Sequence, residues 1–541
     1  MREKLRWDTG SWTTLVLIVA ILLVLNLISV NLFTRLDLTE GKVFSLSPAT
    51  KYILKNLNDR LIAKMYFTKD LPPPYNGYAR YLKDQLEEYQ AYAKGKLKLE
   101  MIDPSDEGKE MEAQRYGVPP MQVNAMENDK IEIKKVYMGL VLLFEDRKEV
   151  IPVVQNVSGL EYDLTSAIKR LSYRFLPSVG FLTGQDGPDL DKDLTYLNQA
   201  LSRQYRVRRI DLGQGNPIPD DVVVLIIAGP QKEFTESEKY AIDQYLMRGG
   251  KLAFLLNHVQ VDFQRGVVEK QNLGLEDLLE NYGIKIQDDL VVDLQCNRVA
   301  ISQKQQGFIY QNVVNYPFFP VATDFDKNNM MVKDLGTVSF YFVSSLEPVS
   351  SSSGNKVRFD PLIRSSNNSG MQPVPCDINP YRQFSQTDFN RSKLILAATL
   401  QGSFSSYFAG KEKPLSANGA ISSDSTLISS PSTRLVVVGD ADWVTDQNIR
   451  GTDNLTFFLN MVDWLSQDEA LIAIRSKQVT ARPLKEISPG AKKLVKYGNT
   501  LGLPFLVILF GLARWQVKRR SKRKMVVLSS EAKTSKKKST F

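Results

Sequence analysis

VVVLIIAGP, residues 222–230, is the stretch on which the fold turns. An unbroken apolar run of this length, closed by Gly229 and Pro230, fits a strand buried on both faces at the centre of a parallel sheet. Working outward, SVGFLTG (178–184) reads as a short buried strand, 194–203 as a helix and VRRIDL (207–212) as a strand. On the other side, residues 235–248 have helical spacing and stop at Gly249 and Gly250, a glycine C-cap, before the strand KLAFLLN (251–257). The pattern resumes at RLVVVGDADWVTD (434–446) and a helix over 455–465. Repeated strand–helix alternation with apolar strands predicts a doubly wound, Rossmann- or flavodoxin-like α/β domain. Residues 274–433 then stand as a long insertion, with the Ser-, Gly- and Asn-rich stretches 344–370 and 403–433 as loops.

A smaller α/β domain precedes it. Ser47 and Pro48 read as N-cap and first residue of a helix. A strand at LIAKMYFT (61–68), a helix over 78–94 and the strand KLKLEMID (96–103) follow. Residues 131–154 predict two strands turning at 145–148, and 160–175 an amphipathic helix. The order suits a thioredoxin-like layout, without the CxxC of a redox thioredoxin.

At the extremities, TTLVLIVAILLVLNLISVNLF (13–33) is uncharged and long enough, at about 1.5 Å per residue, to cross roughly 30 Å of hydrocarbon. It lacks the small-residue cleavage site of a signal peptide. A second apolar stretch, LGLPFLVILFGLA (501–513), reaches spanning length with residues 497–500 and is followed by a dense basic run. The expectation is two transmembrane helices flanking a large extracytoplasmic region in the bacterial inner membrane, with both termini cytoplasmic. The predicted division is a cytoplasmic N-terminus 1–12, span 13–33, first α/β domain 34–176, second α/β domain 177–475 with its insertion at about 274–433, linker 476–496, span 497–513 and basic tail 514–541.

The formal net charge of +9 sits almost wholly in that tail, where eleven Lys and Arg face one acid, Glu531. Nucleic-acid binding is therefore not indicated, whereas contact with lipid headgroups is. Two cysteines, Cys296 and Cys376, cannot make a disulfide framework, and either a pair or two free thiols is open. With His258 as the one histidine, no His/Cys metal site can be assembled, and no Ser or Cys partner for a catalytic histidine is evident. GxxxxGK[ST] is absent, so ATP hydrolysis is not expected, and neither a cofactor nor a catalytic residue is assigned.

Two loops at the carboxyl ends of strands are the candidate ligand-binding positions: Gly184, Gln185, Asp186 and Gly187, and Asp440 with Asp442. Backbone N–H groups at the first can meet an anion, and the acids of the second, converging with Asp186, can bind a cation or carry acid/base chemistry. Each also has a plain structural use, glycine turn geometry in one and helix capping or turns in the other.

Several segments together resemble the gliding-motility-associated auxiliary component of bacterial ABC transporters. They are RLDLTEGKVFSLSPATKYIL, LEEYQAYAKGKLKLEMIDP, YGVPPMQV, VYMGLVLLFEDRKEVIPVV and LEYDLTSAIKRL in the first half, and RGGKLAFLL, VVVGDADWVTDQ and FFLNMVDWL in the second. The resemblance implies a non-enzymatic, membrane-anchored subunit working with an ABC permease and a cytoplasmic ATPase, and binding a small ligand or an envelope component. Where relatives often read GHGE, this chain has Gly184-Gln185-Asp186-Gly187. The alternatives from other classes are a membrane-tethered hydrolase or amidotransferase-like enzyme, and a non-binding structural scaffold of the envelope.

Overall fold

The computed structural model describes residues 45–466, except 128–129, 156–158, 173–175, 214–215, 263–264, 306–307, 352–355 and 415–424, together with scattered residues on either side. The chain forms two compact units, Met1–Thr480 and Ala481–Phe541. In the second, the described residues, among them Tyr497, Phe505, Phe510 and Trp515, are helical and exposed.

In the first unit, Ser47 Oγ accepts from Thr50 N at 3.1 Å and Pro48 opens the helix Pro48–Lys55. Strands β1 (Leu61–Phe67) and β2 (Leu97–Ile102) are parallel and are joined through the helix Tyr75–Tyr92. A hairpin of β3 (Met121–Glu127) and β4 (Lys130–Val136) stands apart from β5 (Met138–Phe144) and β6 (Arg147–Ile151), and the sheet order is β2-β1-β5-β6. The stretch 131–154 therefore makes three strands and not two. Tyr137 divides them, because its N–H donates to Thr68 Oγ1 at 2.9 Å and its carbonyl accepts from Thr68 N at 3.1 Å, which turns the chain from hairpin into sheet.

The large sheet is built on β7 (Ser178–Thr183), β8 (Arg206–Asp211), β9 (Val222–Ala228) and β10 (Lys251–Leu255), all parallel. Between them and the last strand lie β11 (Val259–Asp262), β12 (Val267–Lys270), β13 (Ile284–Ile286), β14 (Asp289–Asp293), β15 (Cys296–Gln305) and β16 (Phe308–Ala322). These are followed by β17 (Asp324–Phe325), β18 (Val338–Ser339), β19 (Leu346–Pro348), β20 (Val357–Arg364), β21 (Ser369–Pro373), β22 (Cys376–Asp377) and β23 (Ile395–Ser405). Strand β24 (Ser429–Val438) returns parallel to β10, and the path runs β13-β19-β23-β24-β10-β9-β7-β8. Part of the middle region thus extends the sheet, β23 pairing antiparallel to β24. The polar stretch 429–433 is strand and not loop, since Ser432 and Thr433 pair with Ser403 and Gly402 and Thr433 Oγ1 donates to Gly250 O at 2.7 Å.

The run in β9 is apolar throughout because it serves two cores. Val224 and Ile226 pack with Leu197, Phe457 and Phe458 from the helices Thr195–Ser202 and Asn454–Leu465. Leu225 and Ile227 pack with Ile242, Leu246 and Leu279 from Glu236–Met247 and Glu276–Tyr282. Cys296 and Cys376 are free and partly buried.

The expected membrane architecture is corrected. Among the described residues no helix is long and apolar enough to cross a membrane, against the two predicted spans. The longest described helix, Tyr75–Tyr92 with 18 residues, has the length, but it carries Arg80, Lys83, Asp84, Glu87 and Glu88. Most of 13–33 and 497–513 lies outside the described residues; Leu17, Ile18, Ala20 and Ile21 are described as helical and exposed. Hydropathy, stretch length and the flanking basic residues supported the spans and the inner-membrane localisation with both termini cytoplasmic, but a span also requires a long continuous apolar helix, and the described residues contain none. The architecture is mixed α/β with several sheets.

Candidate functional site

Strand β7 lies between β8 and β9, and the chain moves from β7 outward to β8 before crossing back to β9. The carboxyl ends of β7 and β9 therefore flank the point where the strand order reverses, the usual place for a ligand in an open α/β sheet. The loop after β7 is fitted closely to that point. Gly184 takes φ +96° and Asp186 φ +54°. A Cβ on Gly187 would lie 2.9 Å from Ala228 O and 3.1 Å from Gly229 O, so only glycine permits this approach to the end of β9. Gln185 is buried, and its Nε2 donates to Glu238 Oε1 at 2.7 Å. Its carbonyl accepts from Gln231 N at 2.7 Å and Lys232 N at 3.2 Å, so these two N–H groups already have a partner. Asp186 is exposed and pairs with Lys232 at 2.9 Å.

The acids after β24 differ from each other. Asp440 is fully buried; its Oδ2 accepts from Tyr341 N at 2.6 Å and its Oδ1 from Asp442 N at 2.7 Å. Burial, and then the neighbouring Asp442 charge, push its carboxyl well above the usual range against these hydrogen bonds. Asp442 is half-buried and accepts from Asn257 Nδ2 at 3.0 Å, while Asn257 Oδ1 takes the N–H of Ala441 at 2.7 Å. Burial raises the Asp442 carboxyl, and the Asn257 bond opposes it. The two loops meet at Gly229, where a Cβ would lie 3.1 Å from Pro188 and 3.3 Å from Ala441.

Beside this junction opens a pocket of about 500 Å³. The segment after β7 contributes Pro188, Lys192 and Asp193, and the segment after β24 contributes Asp442, Thr445, Asp446, Gln447 and Asn448. Phe319, Tyr341 and Phe342 supply an aromatic wall, with Phe319 4.9 Å from Tyr341 and 5.0 Å from Phe342 between ring centroids. The segments are tied to one another. Asp446 accepts from Thr195 N and Tyr196 N, both at 3.0 Å, at the start of the helix Thr195–Ser202, and its own N–H donates to Asp193 O at 2.8 Å. Phe342 holds φ +57°, a left-handed backbone uncommon for a bulky residue, pinned by its N–H to Phe318 O at 3.1 Å. Of the residues singled out in the sequence, Asp442 lines this pocket. Asp440 braces the backbone of Tyr341 and Asp442 behind it, and Gly184, Gln185, Asp186 and Gly187 do not line it.

A second constellation escaped sequence reasoning. His258 is buried, with Nε2 2.7 Å from Asp288 Oδ1 and Nδ1 3.8 Å from Glu276 Oε1. Lys270 Nζ reaches Asp288 Oδ2 at 2.8 Å. Burial opposes the Asp288 charge, but the bonds from Lys270 and His258 prevail and hold its carboxyl below the ordinary range. The group adjoins a cavity of about 120 Å³ lined by Leu256, Leu273, Leu275 and Leu279. These partners are carboxylates brought in by the β13–β14 turn and a helix, which no local spacing signals. Among the described residues no group of three or more His, Cys, Asp or Glu could hold a metal ion.

A family model described as "ABC-type uncharacterized transport system" matches residues 176–465, and a second, a domain of unknown function, matches residues 40–143. An uncharacterized protein of Borreliella burgdorferi is 24% identical over 515 residues, covering 91% of this chain and 95% of that protein. Among solved structures, the mmIFT52 N-terminal domain aligns with a TM-score of 0.33 at 15% identity, over 53% of this chain and 96% of that one. The exo-β-1,4-mannosidase Op5Man5 of Opitutaceae bacterium strain TAV5 aligns with a TM-score of 0.20 at 11% identity, over 81% and 56%. Likeness at these TM-scores carries no functional argument.

Proposed function

The chain belongs to the family of ABC-type uncharacterized transport systems, and we propose that it serves such a system as an auxiliary, ligand-binding subunit coupled to a permease and an ATPase. The observation that carries this reading is the pocket of about 500 Å³, assembled at the carboxyl edge of the sheet from segments near residues 190, 340 and 445. Its size suits a small-molecule ligand, and its charged, hydroxyl and amide side chains beside an aromatic wall suit recognition of a polar one. The work assigned is binding and coupling, not catalysis. The phosphate-binding sequence of an ATPase is absent, so ATP hydrolysis falls to a partner. Within the family, the segments quoted above favour the gliding-motility-associated auxiliary group.

The test is affinity purification of the tagged full chain from its native cells after mild cross-linking, with partners identified by mass spectrometry. An ABC permease and ATPase should be enriched together with it. Recovery of the chain without either, at normal expression, would refute the assignment.

A further inference from the structure

The pocket's lining also bears on what it takes, an inference that rests on the reading of this pocket as a ligand site. Its charge is lopsided: Asp193, Asp442 and Asp446 stand against Lys192. Two of the three acids have work within the fold. Both oxygens of Asp446 hold the amides of Thr195 and Tyr196, and Asp193 Oδ2 accepts from Asp189 N at 2.9 Å. Asp442 has one side-chain hydrogen bond, from the neutral amide of Asn257, and among the described residues no lysine or arginine pairs with it. The same cavity has the half-buried rings of Phe319 and Tyr341, set at 61° to each other.

An aromatic face attracts a cation through its quadrupole, and an uncompensated carboxylate attracts it by charge. A hard divalent metal fits poorly, because it requires about six converging oxygen ligands and among the described residues no group of three or more His, Cys, Asp or Glu could hold a metal ion. A sugar would use the rings and the amides of Gln447 and Asn448, but it leaves the Asp442 charge unanswered. The geometry points to a small organic ammonium ion as the ligand class, with its cationic head held by Asp442 and the Phe319–Tyr341 pair. Gln447, Asn448 and Lys192, which also line the pocket, meet the rest of the molecule.

Calorimetric titration of the purified full chain tests this with choline and putrescine, with 3,3-dimethylbutan-1-ol as the neutral counterpart of choline, and with glucose. At least one ammonium probe should bind saturably, about tenfold or more tighter than the neutral alcohol, and Asp442→Asn should weaken it about tenfold. Should that variant fold poorly by circular dichroism, Phe319→Leu, which keeps an apolar side chain and removes the ring, should still weaken binding several-fold. Equal affinity for choline and its neutral counterpart, binding unchanged in both variants, or no binding of either ammonium probe would overturn the inference. Glucose binding that depends on Asp442, with the ammonium ions inert, would overturn the ligand class while leaving the pocket a binding site. Enrichment of the permease and ATPase depends on none of these results, so the two readings fail separately.

Discussion

Asp440 and Asp442 are two residues apart and do different things because of one variable, access to water. Asp440 is fully buried and uses separate oxygens to hold the N–H groups of Tyr341 and Asp442. An asparagine there has one acceptor oxygen and must aim its NH₂ at a backbone N–H, leaving a buried donor unsatisfied. Asp440→Asn should therefore cost about 1–3 kcal/mol of stability, read as a lower urea midpoint at unchanged slope. A midpoint equal to that of the parent chain would show that Asp440 does not brace the pocket wall. Asp442, half-buried and held by one neutral amide, is the member of the pair placed to meet a ligand.

At the scale of the element, the helix Glu236–Met247 shows how a local signal acquires a second use. Thr235 and Glu238 form a capping box, with Thr235 N donating to Glu238 Oε2 at 2.9 Å. The other oxygen of Glu238 takes the amide of Gln185, so the cap also anchors the loop after β7. Glu238→Ala should lower stability by more than the roughly 1 kcal/mol of an ordinary cap, about 2 kcal/mol, since Gln185 is then buried without its acceptor. Amide hydrogen exchange should quicken both in the first turn of the helix and in residues 184–187. Faster exchange in the helix alone would mean that the loop stands without the cap.

Across the whole first unit, the helix Leu160–Ser172 of the N-terminal domain meets the body of the large sheet. Tyr162 OH accepts from Gln204 Nε2, and Lys169 feels the carboxylate of Asp463. Burial lowers the Lys169 ammonium to about 8, and Asp463 offsets part of that. The sign follows from linkage. The unfolded lysine, near 10.4, binds its proton more tightly than the folded one, so stability contributed by this group is lowest below about pH 8 and rises toward pH 10. Lys169→Met should raise the unfolding temperature at pH 7 and flatten the profile between pH 8 and 10. A parallel profile in the variant would show that Lys169 is not desolvated where the domains meet.

The α/β character of the chain could be read from its sequence because the two signals involved are local. A strand buried on both faces must be apolar at every position, as 222–228 is, and a helix with one buried face must repeat about every 3.6 residues, as 160–172 does. Candidate loops at strand ends follow from the same alternation, which is why Asp442 was within reach. The apolar stretches at the extremities lie mostly outside the described residues, and hydropathy by itself reports the cost of leaving residues in water, not the helix that must carry them across a bilayer. Tertiary structure alone decided that residues 429–433 join a strand, that Phe319 and Tyr341 line one pocket with Asp442, and that His258 finds Asp288 and Glu276. Those outcomes depend on pairing between segments far apart in the chain, and side-chain identity at one position carries no record of which distant partner will arrive.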